Sequence, residues 1–325
     1  MQNSSNNHQI WKIGKYVLQE ELGLGAFSTV FLAIHSKTGE KVAIKVIDRN
    51  TATETDMIVY VENELRIQSR LNHPNIAKVY DVIYTPEIIA IVMEYMPNGD
   101  MQMLINNNFI FKQSEQIRIA IELLDALNYL HEKGISHRDI KTANILFDKD
   151  MHPKLIDFGF SREFSAKMKT YCGTHLLMAP EIISNKVYNG MKADIWAYGV
   201  TMHIMATHCY PFSYQNDAQF LADVRNKTIK VNNTAEGNLG WLINRSLQFD
   251  PDNRPTAQSM LDYMKVQSTA FANGNGLEIG NHVKRAATMG ILKPRRLPIL
   301  IKSRGLNNTI PTKIKLAPKT ILFEK

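Results

Sequence analysis

The chain has 325 residues, 44% of them hydrophobic and 21% charged, which is ordinary for a water-soluble globular protein with a sizeable core. Two cysteines, Cys172 and Cys209, exclude a disulfide scaffold; no Cys/His spacing suggests zinc, and apolar runs such as IIAIVM at 88–93 fall far short of a bilayer span. The net charge of +7 invites a nucleic-acid reading, but residues 265–325 hold 12 Lys/Arg against 2 Asp/Glu while residues 1–264 hold 26 against 29, so the basicity belongs to the tail.

Met1 is followed by QNSSNNHQ, which lacks the basic start and apolar stretch of a secretory signal, so the expectation is an intracellular, cytoplasmic protein, with the nucleus left open. Residues 1–15 are Asn/Ser-rich and read as a disordered lead-in. Segments rich in β-branched and aromatic residues follow: KYVLQEELGLG, STVFLAIH, KVAIKVID, AKVYDVIY and IIAIVMEY, which together read as an antiparallel sheet. One helix, TDMIVYVENELRIQSRLN, is expected among them, stopping at His73-Pro74. After the turn Pro97-Asn98-Gly99 the pattern changes to long amphipathic helices, such as SEQIRIAIELLDALNYLHEKG, ended by Gly134. The layout is thus two lobes, a β-rich one over 16–95 with one helix and a mainly helical one over 96–268. Beyond it, residues 269–325 are expected to be a flexible basic tail.

Three stretches carry chemistry. In GLGAFSTV, residues 23–30, Gly23 and Gly25 let a hairpin backbone approach a ligand closely and cover phosphates with N–H groups, although a plain glycine-bearing hairpin fits as well. Lys45, in the apolar run Val42-Ala43-Ile44-Lys45, either snorkels to water or needs a buried carboxylate, which Glu64 on the following helix can supply. In SHRDIKTANILFD, residues 136–148, His137, Arg138, Asp139, Lys141 and Asn144 crowd against the apolar Ile145-Leu146-Phe147.

Taken with Asp157-Phe158-Gly159, Ala179-Pro180-Glu181, the D-x-W-x-x-G run from Asp194 to Gly199, and Arg254, these stretches in this order resemble the eukaryotic protein kinase family. The resemblance implies an α+β, bilobal kinase fold and a magnesium- and ATP-dependent serine/threonine kinase. Asp139 would accept the proton of a substrate hydroxyl, Lys141 would neutralise charge on the transferring phosphoryl group, and Asn144 and Asp157 would hold Mg²⁺. Leu22, Gly23, Gly25, Val30, Ala43, Lys45, Glu64, Met93, Glu94, Met96 and Leu146 would form the ATP site, and Glu181 would pair with Arg254. Lys141 and Thr174 match the serine/threonine pattern, and Phe160 after Asp157-Phe158-Gly159 resembles the bulky residue that favours serine as acceptor. MKTYCGT resembles loops switched by a phosphothreonine, so Thr170 is the expected regulatory site, with Arg138 to pair with its phosphate.

The hinge MEYMPNGDM is most similar to the calmodulin-dependent and AMP-activated kinase group. There Asp100 would recognise an arginine before the acceptor, while Ala143 replaces a second acid. Two departures stand out. His175-Leu176-Leu177 replaces the usual P-x-Y, and Gln68 occupies a normally apolar position, where it should loosen its helix unless it finds a hydrogen bond. The implied partners are protein substrates and an upstream activating kinase; the tail, with VKRAATMGIL and KPRRLPILIKSR, could inhibit in cis or meet a partner or an acidic membrane surface. No nucleic-acid partner is expected. A pseudokinase scaffold is the alternative, opposed by the presence of Lys45, Asp139, Asn144 and Asp157 together.

Overall fold

A computed structural model describes residues 11–25, 28–163, 175–184, 187–213 and 216–272. These fall into two compact units, one of residues 11–72 and 76–97, the other of 73–75 and 98–272. The expectations for Thr170 and Thr174, and for the tail from 273 onward, concern positions outside the described residues.

The first unit is a six-stranded antiparallel sheet of β1 (Lys12–Ile13), β2 (Tyr16–Leu24), β3 (Ser28–His35), β4 (Lys41–Asp48), β5 (Val79–Tyr84) and β6 (Ile88–Glu94), in the order β1-β2-β3-β4-β6-β5. Period-two alternation sorts its side chains. Val42, Ile44 and Val46 of β4 pack with Ile13, Tyr16, Leu18, Ala90 and Val92 on one face, while Ile47, Ile89 and Ile91 pack on the other with Ala52 and Val61. The lead-in expected to reach residue 15 is therefore too long: Lys12–Ile13 pairs with β2 because Ile13, 3% exposed, has a core face to fill.

Two helices, not one, cover the second face. Asp48 accepts a hydrogen bond from Thr51 N at 2.7 Å and caps α1 (Arg49–Glu54) directly at the end of β4. Asp56, at φ 56°, breaks the helical path before α2 (Ile58–Gln68) begins. The second helix buries Val61, Glu64, Ile67 and Gln68, spacings that share one side of an α-helix.

The second unit is mainly helical: α3 (Met101–Asn106), α4 (Gln113–Glu132), α5 (Pro180–Ser184), α6 (Gly190–Thr207), α7 (Asp217–Arg225), α8 (Gly237–Ser246) and α9 (Ala257–Ala272). The last helix outruns the expected boundary at 268. Gly134, at φ 72°, ends the excursion after α4, as its lack of a Cβ allows. Helix α6 is buried nearly all round and forms the core, with α8 and α4 packed on it. Two short ladders complete the unit: β7 (Ile135–Ser136) pairs with β10 (Arg162–Glu163), and β8 (Ile145–Phe147) with β9 (Pro153–Leu155). Among the described residues no helix is long and apolar enough to cross a membrane.

Candidate active site

In the first unit, alternation along β4 turns Lys45 to the face that carries Ile47, the face covered by α2. There its Nζ donates to Glu64 Oε1 at 2.9 Å and Oε2 at 2.7 Å, with the two side chains 19% and 7% exposed. The choice left open by the sequence, water or a buried carboxylate, goes to the carboxylate. Gln68, one helical turn on, donates from Nε2 to Ala77 O at 3.0 Å, so the condition for a loosened helix is not met.

The glycine hairpin joins β2 to β3, and Gly25 N donates to Ser28 O at 2.7 Å. A Cβ on Gly25 would lie 2.7 Å from Ser28 Oγ, whereas Gly23 has open space around it. Leu22, Gly23 and Gly25 are exposed, Val30, Met93 and Glu94 are half-buried, and Ala43 and Met96 are buried.

In the second unit, the polar crowd beside a buried strand is held together by hydrogen bonds. Ile145 and Phe147 of β8 point into the core, while Leu146 between them is half-buried on the other side. Ahead of β8, Asp139 is 5% exposed; its Oδ2 accepts from Lys141 Nζ at 2.6 Å and from Asn144 Nδ2 at 2.9 Å. Asn144 Nδ2 also donates to Asp139 O at 2.8 Å. Asn144 O accepts from Ile156 N at 3.0 Å, which brings the strand before Asp157 against the loop. Asp157 itself has φ 66°, a costly backbone for a residue with a Cβ, and its Oδ1 accepts from Gly159 N at 3.3 Å.

His137 is fully buried. Its Nδ1 accepts from Asp139 N at 3.3 Å, so Nε2 carries the proton that goes to Ile156 O at 3.0 Å. Burial pushes its pKa below the usual imidazole value, which keeps that tautomer neutral. Phe158 packs edge-on against its ring, centroids 4.9 Å apart.

The loop backbone is fastened from below. Asp194, on α6, accepts from His137 N at 2.8 Å and from His131 Nε2 at 3.0 Å through Oδ2, and from Arg138 N at 2.8 Å through Oδ1. Farther along, Glu181 and Arg254 form a bidentate pair. The sequence singled out Asp194 only as part of a motif, and it gave no signal for His131 or for Tyr188, whose hydroxyl accepts from Arg138 Nη2 at 2.8 Å. Asp100, expected to face a substrate arginine, caps α3 by accepting from Met103 N at 2.7 Å, and burial raises its pKa.

The protein kinase domain family matches residues 16–264, most of the chain. The chain belongs to the protein kinase family. This kinase domain is 32% identical over 260 residues to the probable serine/threonine-protein kinase MARK-A of Dictyostelium discoideum, covering 79% of the chain and 24% of that protein. It is also 32% identical over 274 residues to CBL-interacting serine/threonine-protein kinase 8 of Arabidopsis thaliana, covering 81% of the chain and 62% of that protein. The chain thus spans less than two thirds of the length of either relative.

Proposed function

We propose that this chain is a serine/threonine protein kinase that transfers the γ-phosphoryl group of ATP to protein hydroxyls. The observation that carries the reading is the buried Asp139 carboxylate, gripped by Lys141 and Asn144 in a loop whose amides are clamped by Asp194. Asp139 takes the hydroxyl proton as the acceptor oxygen bonds to phosphorus and the bond to the departing ADP oxygen breaks. Lys141 balances charge on the moving group. Lys45, steadied by Glu64, presents a positive charge to nucleotide phosphates, and Gly23 and Gly25 allow the hairpin backbone to come near them.

The donor set suits Mg²⁺. Asn144 is fixed through its Nδ2, which leaves its side-chain Oδ1 for a cation, and Asp157 adds a carboxylate, both hard oxygen ligands. A metal bound there would neutralise phosphate charge. The serine preference rests on Phe160, and activation by phosphate at Thr170 rests on Arg138. The composition of the tail supports docking to a partner or an acidic membrane surface. The test is a radiolabelled-ATP assay on a peptide library, wild type beside Asp139→Asn. Labelling of serine peptides by wild type alone is expected; equal labelling by the variant, or none by either, overturns the proposal.

A further inference from the structure

Arg138 has a left-handed backbone, φ 69°, which a residue with a Cβ holds only when its surroundings fix it. Asp194 fixes the backbone through the Arg138 amide. The side chain is fixed separately. Its Nε and Nη2 donate to the Tyr188 hydroxyl at 3.3 and 2.8 Å, its Nη1 donates to Phe160 O at 3.2 Å, and the guanidinium carbon lies 6.0 Å from the Tyr188 ring centroid. Tyr188, 6% exposed, sits just before Asn189, whose side chain caps α6, so its hydroxyl is delivered from the start of the core helix. Arg138, Tyr188 and Asp139 line one cavity, together with Leu177 and Met178. Without the hydroxyl, Nε and Nη2 lose this acceptor, beside the carboxylate that takes the proton.

We propose that Tyr188 is a positioning residue for phosphoryl transfer: its hydroxyl holds Arg138, and through it the Asp139 loop, in the protein that carries no activation-loop phosphate. The inference rests on the reading of Asp139 as proton acceptor. It makes Tyr188 the resident acceptor on the guanidinium that a phosphate at Thr170 would engage.

The test uses the full chain after phosphatase treatment and compares wild type, Tyr188→Phe, Arg138→Lys and the double variant. Removing one charge-assisted acceptor should lower kcat about tenfold with KM for ATP and peptide unchanged, while the thermal midpoint falls slightly and the protein stays fully folded at the assay temperature. In the Arg138→Lys background Tyr188→Phe should add little, since an ammonium lacks the fork that meets the hydroxyl through two nitrogens. Amide exchange at His137 and Arg138 should quicken in Tyr188→Phe. An unchanged kcat, losses that multiply in the double variant, or unchanged exchange would overturn the role. If wild type itself transfers no phosphate, the transferase reading fails and exchange alone decides the Tyr188 contact.

Discussion

Arg254 meets Glu181 with every donor it owns accounted for. Nη1 and Nη2 reach the two carboxylate oxygens at 2.6 and 2.7 Å, and the remaining N–H groups go to the carbonyls of Lys192 at 2.9 Å, Phe249 at 3.2 Å and, from Nε, Gln248 at 2.8 Å. The guanidinium carbon also lies 5.1 Å from the Trp196 ring centroid. A buried pair of this kind adds little over an apolar substitute, but losing one member strands the other. Arg254→Ala should therefore cost about 3–5 kcal/mol in urea unfolding followed by circular dichroism. Arg254→Lys should recover little of it, because an ammonium offers three donors without the planar fork.

Gln68→Leu separates two views of α2. If the carboxamide were a loose polar intruder, leucine would tighten the helix and raise unstimulated activity. Because Gln68 Nε2 bonds to Ala77 O, the variant instead orphans a buried carbonyl. The expected result is a loss of about 1 kcal/mol with no rise in unstimulated activity, read by chemical unfolding and steady-state kinetics.

Gly199→Ala should destabilise the helical unit. A Cβ there would stand 2.5 Å from Ser246 Cβ and 3.1 Å from Leu247 Cγ, atoms near the backbone of α8 and its end that cannot swing aside. Overpacking of this kind costs about 1–3 kcal/mol and should appear as a lowered thermal midpoint.

Acid should weaken the fold as pH falls below 6.5. Burial holds the pKa of His137, and likewise of His203, below the usual 6.5 in the folded chain, so unfolding takes up protons as pH falls through that value. Their contribution is full above pH 6.5 and is lost as pH falls from there toward the lowered folded values. For His137 alone the slope can reach about 1.4 kcal/mol per pH unit. His203 lies between Cys209 O, at 2.9 Å from Nδ1, and Thr234 N, at 3.4 Å from Nε2, so His203→Gln should flatten part of the dependence. Urea midpoints at about pH 7.5, 6.5 and 5.5 check this; equal midpoints would contradict it.

The sheet was readable because alternation and β-branched composition agree with burial on each strand, and the same alternation sends Lys45 toward Glu64. Helix α1 was not readable: only Ala52 of its six residues is buried, so no apolar stripe marks it, and the Asp48 cap is the one local sign. Strand β1 is two residues long and owes its place to Ile13 finding a core made elsewhere in the chain. At the site, side chains close in sequence, Asp139, Lys141 and Asn144, were legible as a group. The Asp194 clamp and the Arg138–Tyr188 bond were not, because they join positions 50 or more residues apart and neither spacing nor residue type announces them.

The Asp194 clamp also moors the loop that carries Asp139. Its carboxylate belongs to a helix wrapped on nearly every side, the kind of segment that opens last as a protein is warmed or breathes. Fraying at the rim would leave the Asp139 loop standing, so the proposed turnover and the helical interior should be lost in a single step rather than one after the other.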